Sequence, residues 1–173
     1  MLFLSINQLH MKYIVIAVLF FSNMAHAQDC KLNKEKDPFT KETKLSTGFI
    51  FLEGGSLTID ADSKEIDLLF SVEGADKCFD NNSSAVIFFE NSKVKTTFRN
   101  GGTMNCEGLF HFIFKNSAAT NSQLKKLTTQ KITQIVFTGN NKKETKITIA
   151  PQEQQTIITL GNCLIEEAKT LIK

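Results

Sequence analysis

Alternation of apolar and polar residues with a period of two constrains this chain more than any other feature. Leu57, Ile59 and Ala61 alternate with polar residues, and Ile66, Leu68, Phe70 and Val72 do so again across the short turn Asp62-Ser63-Lys64. Successive side chains of a strand point to opposite faces, so this pattern specifies strands with one buried face. Leu69 interrupts the polar face of the second strand. Phe49-Ile50-Phe51-Leu52 is a short apolar run ending at the hairpin-type turn Gly54-Gly55. Ala85 to Phe89 is apolar throughout, which predicts a strand covered on both faces. Val94, Thr96 and Phe98 form its return after a turn at 90–93. Leu109 to Phe114 is the most apolar strand, with Phe110, Phe112 and Phe114 on one face and Leu109, His111 and Ile113 on the other. Ile132, Ile135 and Phe137, then Thr145 to Ile149, make a further pair around Gly139-Asn140-Asn141. Residues 31–44 are polar with Pro38 in the middle, and read as an extended or irregular lead-in.

Helical signals are confined to the second half. Asn121-Ser122 is a cap signal before a short helical turn holding Leu124 and Leu127. After Ala150-Pro151 the period changes: Ile157, Gly161, Leu164, Ile165, Ala168, Leu171 and Ile172 fall on one helical stripe, predicting a helix from about Gln152. Pro151 suits the first helical position, although Thr156 to Leu160 carries strand propensity. Short connections favour antiparallel neighbours. The expected fold is therefore α+β: an antiparallel β-sheet of seven to eight short strands, curled toward a barrel or sandwich, with a short helix and a packed C-terminal helix.

The N-terminal region has a different grammar. Met11-Lys12 is a short positive segment, Tyr13 to Phe21 is unbroken apolar sequence, and Ala25-His26-Ala27 is a small-x-small cleavage site. The run is too short to span a bilayer, which needs about 20 residues. Residues 1–27 are thus expected to be an upstream extension and signal peptide cleaved after Ala27, with Met11 as the preferred start. Gln28-Asp29 before Cys30 do not fit a lipobox. Residues 28–173 are expected to form a single β-rich domain with no transmembrane segment, exported to the periplasm or the extracellular space. Such a length suits one domain and buries about two-thirds of its unfolded surface.

Export changes the meaning of the cysteines. Cys30, Cys78, Cys106 and Cys163 all lie after the expected cleavage point. An even number in an exported domain argues for two disulfides, for which sequence allows three connectivities. Cys78 and Cys106 bracket a hairpin and are the expected pair at its base, leaving Cys30 with Cys163. Their spacing matches no zinc template.

The chemical inventory is thin. After residue 27 there is no Trp and no Tyr, one Arg (Arg99) and one His (His111). Ser-His-Asp or Cys-His catalysis would have to use His111, whose place in a Phe-rich strand reads as an alternating polar position. Asp60, Asp62, Glu65 and Asp67 invite a calcium reading, because hard cations take several oxygens. They lack the EF-hand order and its glycine, and read as acidic turn residues. Gly54-Gly55 and Gly101-Gly102 are isolated pairs, so no phosphate-cradling loop is expected. A net charge of +2, with Lys125-Lys126, Lys131 and Lys142-Lys143 diluted by Glu144 and threonines, gives no nucleic-acid footprint. Asn81-Asn82-Ser83-Ser84 holds formal glycosylation sequons. No catalytic, cofactor-binding or metal-binding residue is assigned.

Lys34-Glu35-Lys36-Asp37-Pro38-Phe39-Thr40, followed by Ser46-Thr47-Gly48-Phe49, resembles the opening of small exported proteins of unknown function from Bacteroidetes-type bacteria. The likeness continues through Cys78, a strand-turn-strand at 85–99, Lys131-Ile132-x-x-Ile135 and a cysteine on the last helix. Lys41 departs from it, standing where glycine is more typical. The resemblance implies an exported location and transfers no catalytic residue.

The expected function is a non-enzymatic module that binds a protein or another cell-envelope component, because acid-base and nucleophilic chemistry needs titratable groups tuned together. One alternative is a carrier of an apolar small molecule, which needs an interior cavity lined by Phe70, Phe88 and Phe112. Another is a carboxylate-based hydrolase, which needs two acidic side chains facing each other in a cleft; the lack of Tyr and Trp platforms argues against sugar substrates.

Overall fold

The alternating segments fold as strands, and two strands form where no alternation exists. The computed structural model describes residues 30–74 and 77–172; the expected extension and signal over 1–27 lie outside the described residues. Ten strands form among the described residues: β1 (Asn33–Lys36), β2 (Thr43–Ser46), β3 (Ile50–Leu52), β4 (Gly55–Ala61), β5 (Glu65–Val72), β6 (Ser84–Phe89), β7 (Thr96–Arg99), β8 (Leu109–Lys115), β9 (Ile132–Thr138) and β10 (Glu144–Thr148). Helices α1 (Ser122–Thr129) and α2 (Pro151–Lys169) complete the fold. The class is α+β as expected, with ten strands where seven to eight were read. The extra pair is the β1–β2 hairpin within the polar lead-in, where every residue of β1 is exposed.

All pairings are antiparallel and build two sheets. The first runs β1-β2-β4-β5-β8, with β3 also paired to β4. β2 and β3 lie on the same side of β4, Leu45 opposite Ala61 and Phe51 opposite Ser56. They form one edge interrupted around Gly48, whose φ of +68° is a backbone conformation that glycine adopts without strain. The second sheet runs β10-β9-β6-β7. The sheets touch at their margins, through a Glu53–Thr148 bridge and a hydrogen bond from Gly101 N to His111 O (2.9 Å), without closing into a barrel.

Phenylalanines fill the space between the sheets. Phe70, Phe110, Phe112 and Phe114 from the first sheet meet Phe98 and Phe137 from the second, with Phe79 beside them. Ring centroids lie 4.7 Å apart for Phe98–Phe112, 5.2 Å for Phe70–Phe112 and 5.2 Å for Phe110–Phe137. These are the separations at which tilted and offset aromatic pairs attract. β6 departs from its expected two-sided burial: Ala85, Ile87 and Phe89 are buried, while Val86 and Phe88 face the other way and are half-buried. A run of apolar residues gives strand but not face; Phe88 is covered instead by the Lys95 ammonium, 4.7 Å from its ring centroid.

The helices sit where their caps and stripes require. Asn121 Oδ1 accepts from Gln123 N (2.8 Å) and Leu124 N (3.3 Å), starting α1. Pro151 opens α2, and Glu153 Oε2 accepts from Ala150 N (2.7 Å). α2 buries Ile157, Gly161, Leu164, Ile165 and Ala168, so helical burial overrides the strand propensity of Thr156 to Leu160. Gly161 faces Ile59, placing α2 on the inner face of β4. The cysteines pair as Cys30–Cys163, joining the N-terminal segment to α2, and Cys78–Cys106, at the base of the β6–β7 hairpin. No helix among the described residues is long and apolar enough to cross a membrane.

Candidate functional site

With α2 and the second sheet both on the inner face, the outer face of the first sheet is covered among the described residues only at β8, by the 100–105 loop. Alternation sets what it presents. Ile50 and Leu52 point inward, so Phe49 and Phe51 point out. They are 71% and 77% exposed, and their rings stack at 6.3 Å. The register then places Phe51 beside Ser56, Ser71 and Leu109 in one row across the sheet, and Thr58, Leu69 and His111 in the next. The exposed aromatic pair thus sits at one edge of the upper rows, with Ser56, Ser71, Thr58 and His111 interspersed between it and the half-buried Leu69 and Leu109.

The lower rows are charged. The β4–β5 turn is held by Asp62, whose Oδ1 accepts from Lys64 N (2.7 Å) and Glu65 N (2.9 Å). That turn sets the register in which Asp60 stands directly opposite Asp67. Such pairs have Cβ atoms about 4.5–5.5 Å apart, and like charges so placed repel. Lys44 Nζ lies 3.1 Å from Asp60 Oδ2 and offsets the repulsion on one flank, and on the other His111 Nδ1 lies within hydrogen-bond distance of Asp67 Oδ2 at 2.7 Å. The register row is Ser46–Asp60–Asp67–Ile113, and Lys44 and His111 reach the two aspartates from diagonal positions on the flanking strands, so the four side chains form one cluster spanning four strands. The Asp60 and Asp67 side chains are only 21% and 20% exposed. Their remaining oxygens, Asp60 Oδ1 and Asp67 Oδ1, are buried without a hydrogen-bond partner in the structure.

His111 is fixed from its backbone and its ring. Asn100 Oδ1 accepts from His111 N (2.9 Å) and from Gly102 N (3.2 Å), folding the 100–105 loop over β8. A Cβ at position 102 would lie 2.5 Å from His111 Cδ2, so glycine is what lets the loop backbone rest on the imidazole. At the opposite edge, the β1–β2 hairpin carries Phe39 at its tip, 91% exposed. The Thr40 and Phe39 amides donate to Asp37 Oδ1 there and hold the Asp37 carboxyl below the ordinary aspartate range. Lys41 in this turn has a φ of +60°, the left-handed region that favours glycine.

Two clefts adjoin the cluster. One of about 140 Å³ is lined by Lys44, Asp60, Ala61, Asp62, Glu65 and Asp67. The other, about 280 Å³, puts Phe49 and Thr58 in the same wall as Glu35, Lys44 and Asp60. The four acidic residues singled out in the sequence therefore do meet. Asp62 spends its carboxylate on the turn amides, however, and no grouping of His, Cys, Asp and Glu among the described residues has the arrangement of a metal site. His111 is held by Asp67, and no Ser, Thr or Cys side chain among the described residues hydrogen-bonds its ring. Arg99 is exposed at the end of β7, and the sequon residues Asn81 and Asn82 lie exposed in the turn held by Asp80 and Ser83.

The outward aromatic pair and the Asp60–Asp67 opposition are absent from a residue-by-residue reading. The second had a signal: a tight Asp62 turn closing the 57–72 hairpin determines which residues oppose. No family model matches this chain, and neither a curated protein nor a solved structure is significantly similar to it.

Proposed function

We propose that this chain is an exported, non-enzymatic module that binds a protein or another cell-envelope component through the outer face of its six-stranded sheet. The observation that carries it is the stacked, solvent-facing Phe49–Phe51 pair at the open edge of that face. Burying a phenylalanine contributes about 1.5–3 kcal/mol, and contiguous exposed apolar surface marks interaction sites. Export is supported by the signal-like N-terminus and by two disulfides, which persist in oxidising compartments.

The carrier reading needs Phe70, Phe88 and Phe112 around one cavity. Phe70 and Phe112 instead pack ring on ring, and Phe88 is on the outer face of its own sheet. The opposed Asp60 and Asp67 favour the hydrolase reading. Asp60 is already paired with Lys44 and Asp67 with the His111 ring, though, and an open sheet face offers little to enclose a substrate.

Co-sedimentation of the mature protein with envelope fragments from its own cells tests the proposal. The wild-type protein is expected to be retained and a Phe49→Ser/Phe51→Ser variant with the same melting temperature to be released. Equal retention of both refutes it.

A further inference from the structure

We infer that the outer face receives an extended, arginine-bearing segment of a partner protein, its guanidinium entering the acidic cleft at Asp60 and Asp67 and its apolar side chains lying on Phe49 and Phe51. This rests on the binding reading above and names the partner's chemistry.

Charge selects the occupant. The chain carries a net charge of +2, yet the cleft beside Asp60 is lined by four carboxylates and one lysine. That lysine is engaged with Asp60. The local field is thus opposite in sign to the whole molecule, which favours a cationic partner and disfavours phosphate-bearing surfaces.

The aromatic pair selects arginine among cations. Phe49 and Asp60 line the same cleft, so a side chain entering it meets a ring face and a carboxylate together. A guanidinium is planar, stacks on aromatic faces and offers donors in a fork that fits carboxylates. An ammonium is more strongly hydrated and makes no such stack. Phe51 extends the apolar surface one row beyond, within reach of the neighbouring side chain of an extended segment.

The experiment measures fluorescence anisotropy of a short labelled peptide with a central arginine flanked by leucines, against the mature protein. Matched peptides carry citrulline, the neutral isostere, or lysine. Replacing arginine by citrulline is expected to weaken binding at least about tenfold, and lysine to fall between. Asp60→Asn/Asp67→Asn is expected to cause the same loss for the arginine peptide alone. Thr58→Lys, which adds a like charge between Phe49 and Leu69 without touching the cluster, provides a second variant with the same expected loss. Equal binding of the arginine and citrulline peptides overturns the inference. So does insensitivity to both variants, or tighter binding to anionic phospholipid vesicles than to the arginine peptide. If Phe49→Ser/Phe51→Ser abolishes envelope retention while the peptides bind alike, this inference falls and the binding reading stands. If envelope retention survives that variant, the binding reading falls.

Discussion

One sheet carries phenylalanines on both faces, and the two sets live under different physics. Phe70, Phe110 and Phe112 point inward, are almost wholly buried and meet rings from the second sheet. Phe49 and Phe51 point outward from the edge and meet mainly each other. The inner rings gain by removal from water and by ring-to-ring contact. The outer rings gain little of either in the isolated molecule. The same side chain thus holds the fold together on one face and is available for a partner on the other, and the face is decided only by the parity of its position along the strand.

The largest test of this contrast is truncation on each face. Phe112→Ala is expected to cost about 3–5 kcal/mol, as large-to-small changes in a packed aromatic core do. Phe51→Ala, removing a ring of equal size, should stay within about 0.5 kcal/mol, as exposed substitutions do. Urea denaturation of the oxidised protein checks both, and comparable losses would erase the distinction between the faces.

A smaller effect tests whether the outer edge has its own strain. Lys41 occupies a left-handed conformation at the hairpin turn, although its Nζ donates to Pro38 O at 2.6 Å. Lys41→Gly is expected to stabilise by up to about 1 kcal/mol, because glycine adopts that φ without the Cβ clash. Thermal unfolding reads it, and a loss of stability would show that the Pro38 contact outweighs the backbone term.

The smallest effect concerns acid. Backbone donors from Thr40 and Phe39 depress the Asp37 pKa. At Asp80 burial pushes the pKa up, but the Ser83 hydroxyl and the Asn82 and Ser83 amides outweigh it and the net shift is downward. A carboxyl whose folded pKa lies below its unfolded value contributes stability that is present above the unfolded pKa. That stability is lost as pH falls through the folded pKa. Protection of the Phe39, Thr40, Asn82 and Ser83 amides, measured relative to the intrinsic exchange rate at each pH, should therefore fall below about pH 4, before protection of the buried amides of β5 and β8. Simultaneous loss of protection everywhere would tie the turns to the core.

What the sequence revealed follows from where pattern exists. The inward faces of β4, β5 and β8 were legible because burial imposes alternation, and the α2 stripe because burial imposes a helical period. β1 was hidden because all four of its residues face water, and no hydrophobic pattern marks such a strand. The outer site was hidden for a related reason. In Phe49-Ile50-Phe51-Leu52 and in 85–89 both faces are apolar, so parity cannot say which side is in. Asp60 and Asp67 looked like turn carboxylates because their opposition is a property of register, which only the paired strands display.

Hydroxyl-radical footprinting of the mature protein, alone and with envelope fragments, tests the two-faced account most directly. Phe49 and Phe51 should be labelled rapidly in the free protein, with Phe70, Phe110, Phe112 and Phe137 protected. Adding envelope should suppress labelling at Phe49 and Phe51 and leave the interior rings unchanged. Slow labelling of the outer pair in the free protein, or no change on adding envelope, would contradict the assignment of this face to binding.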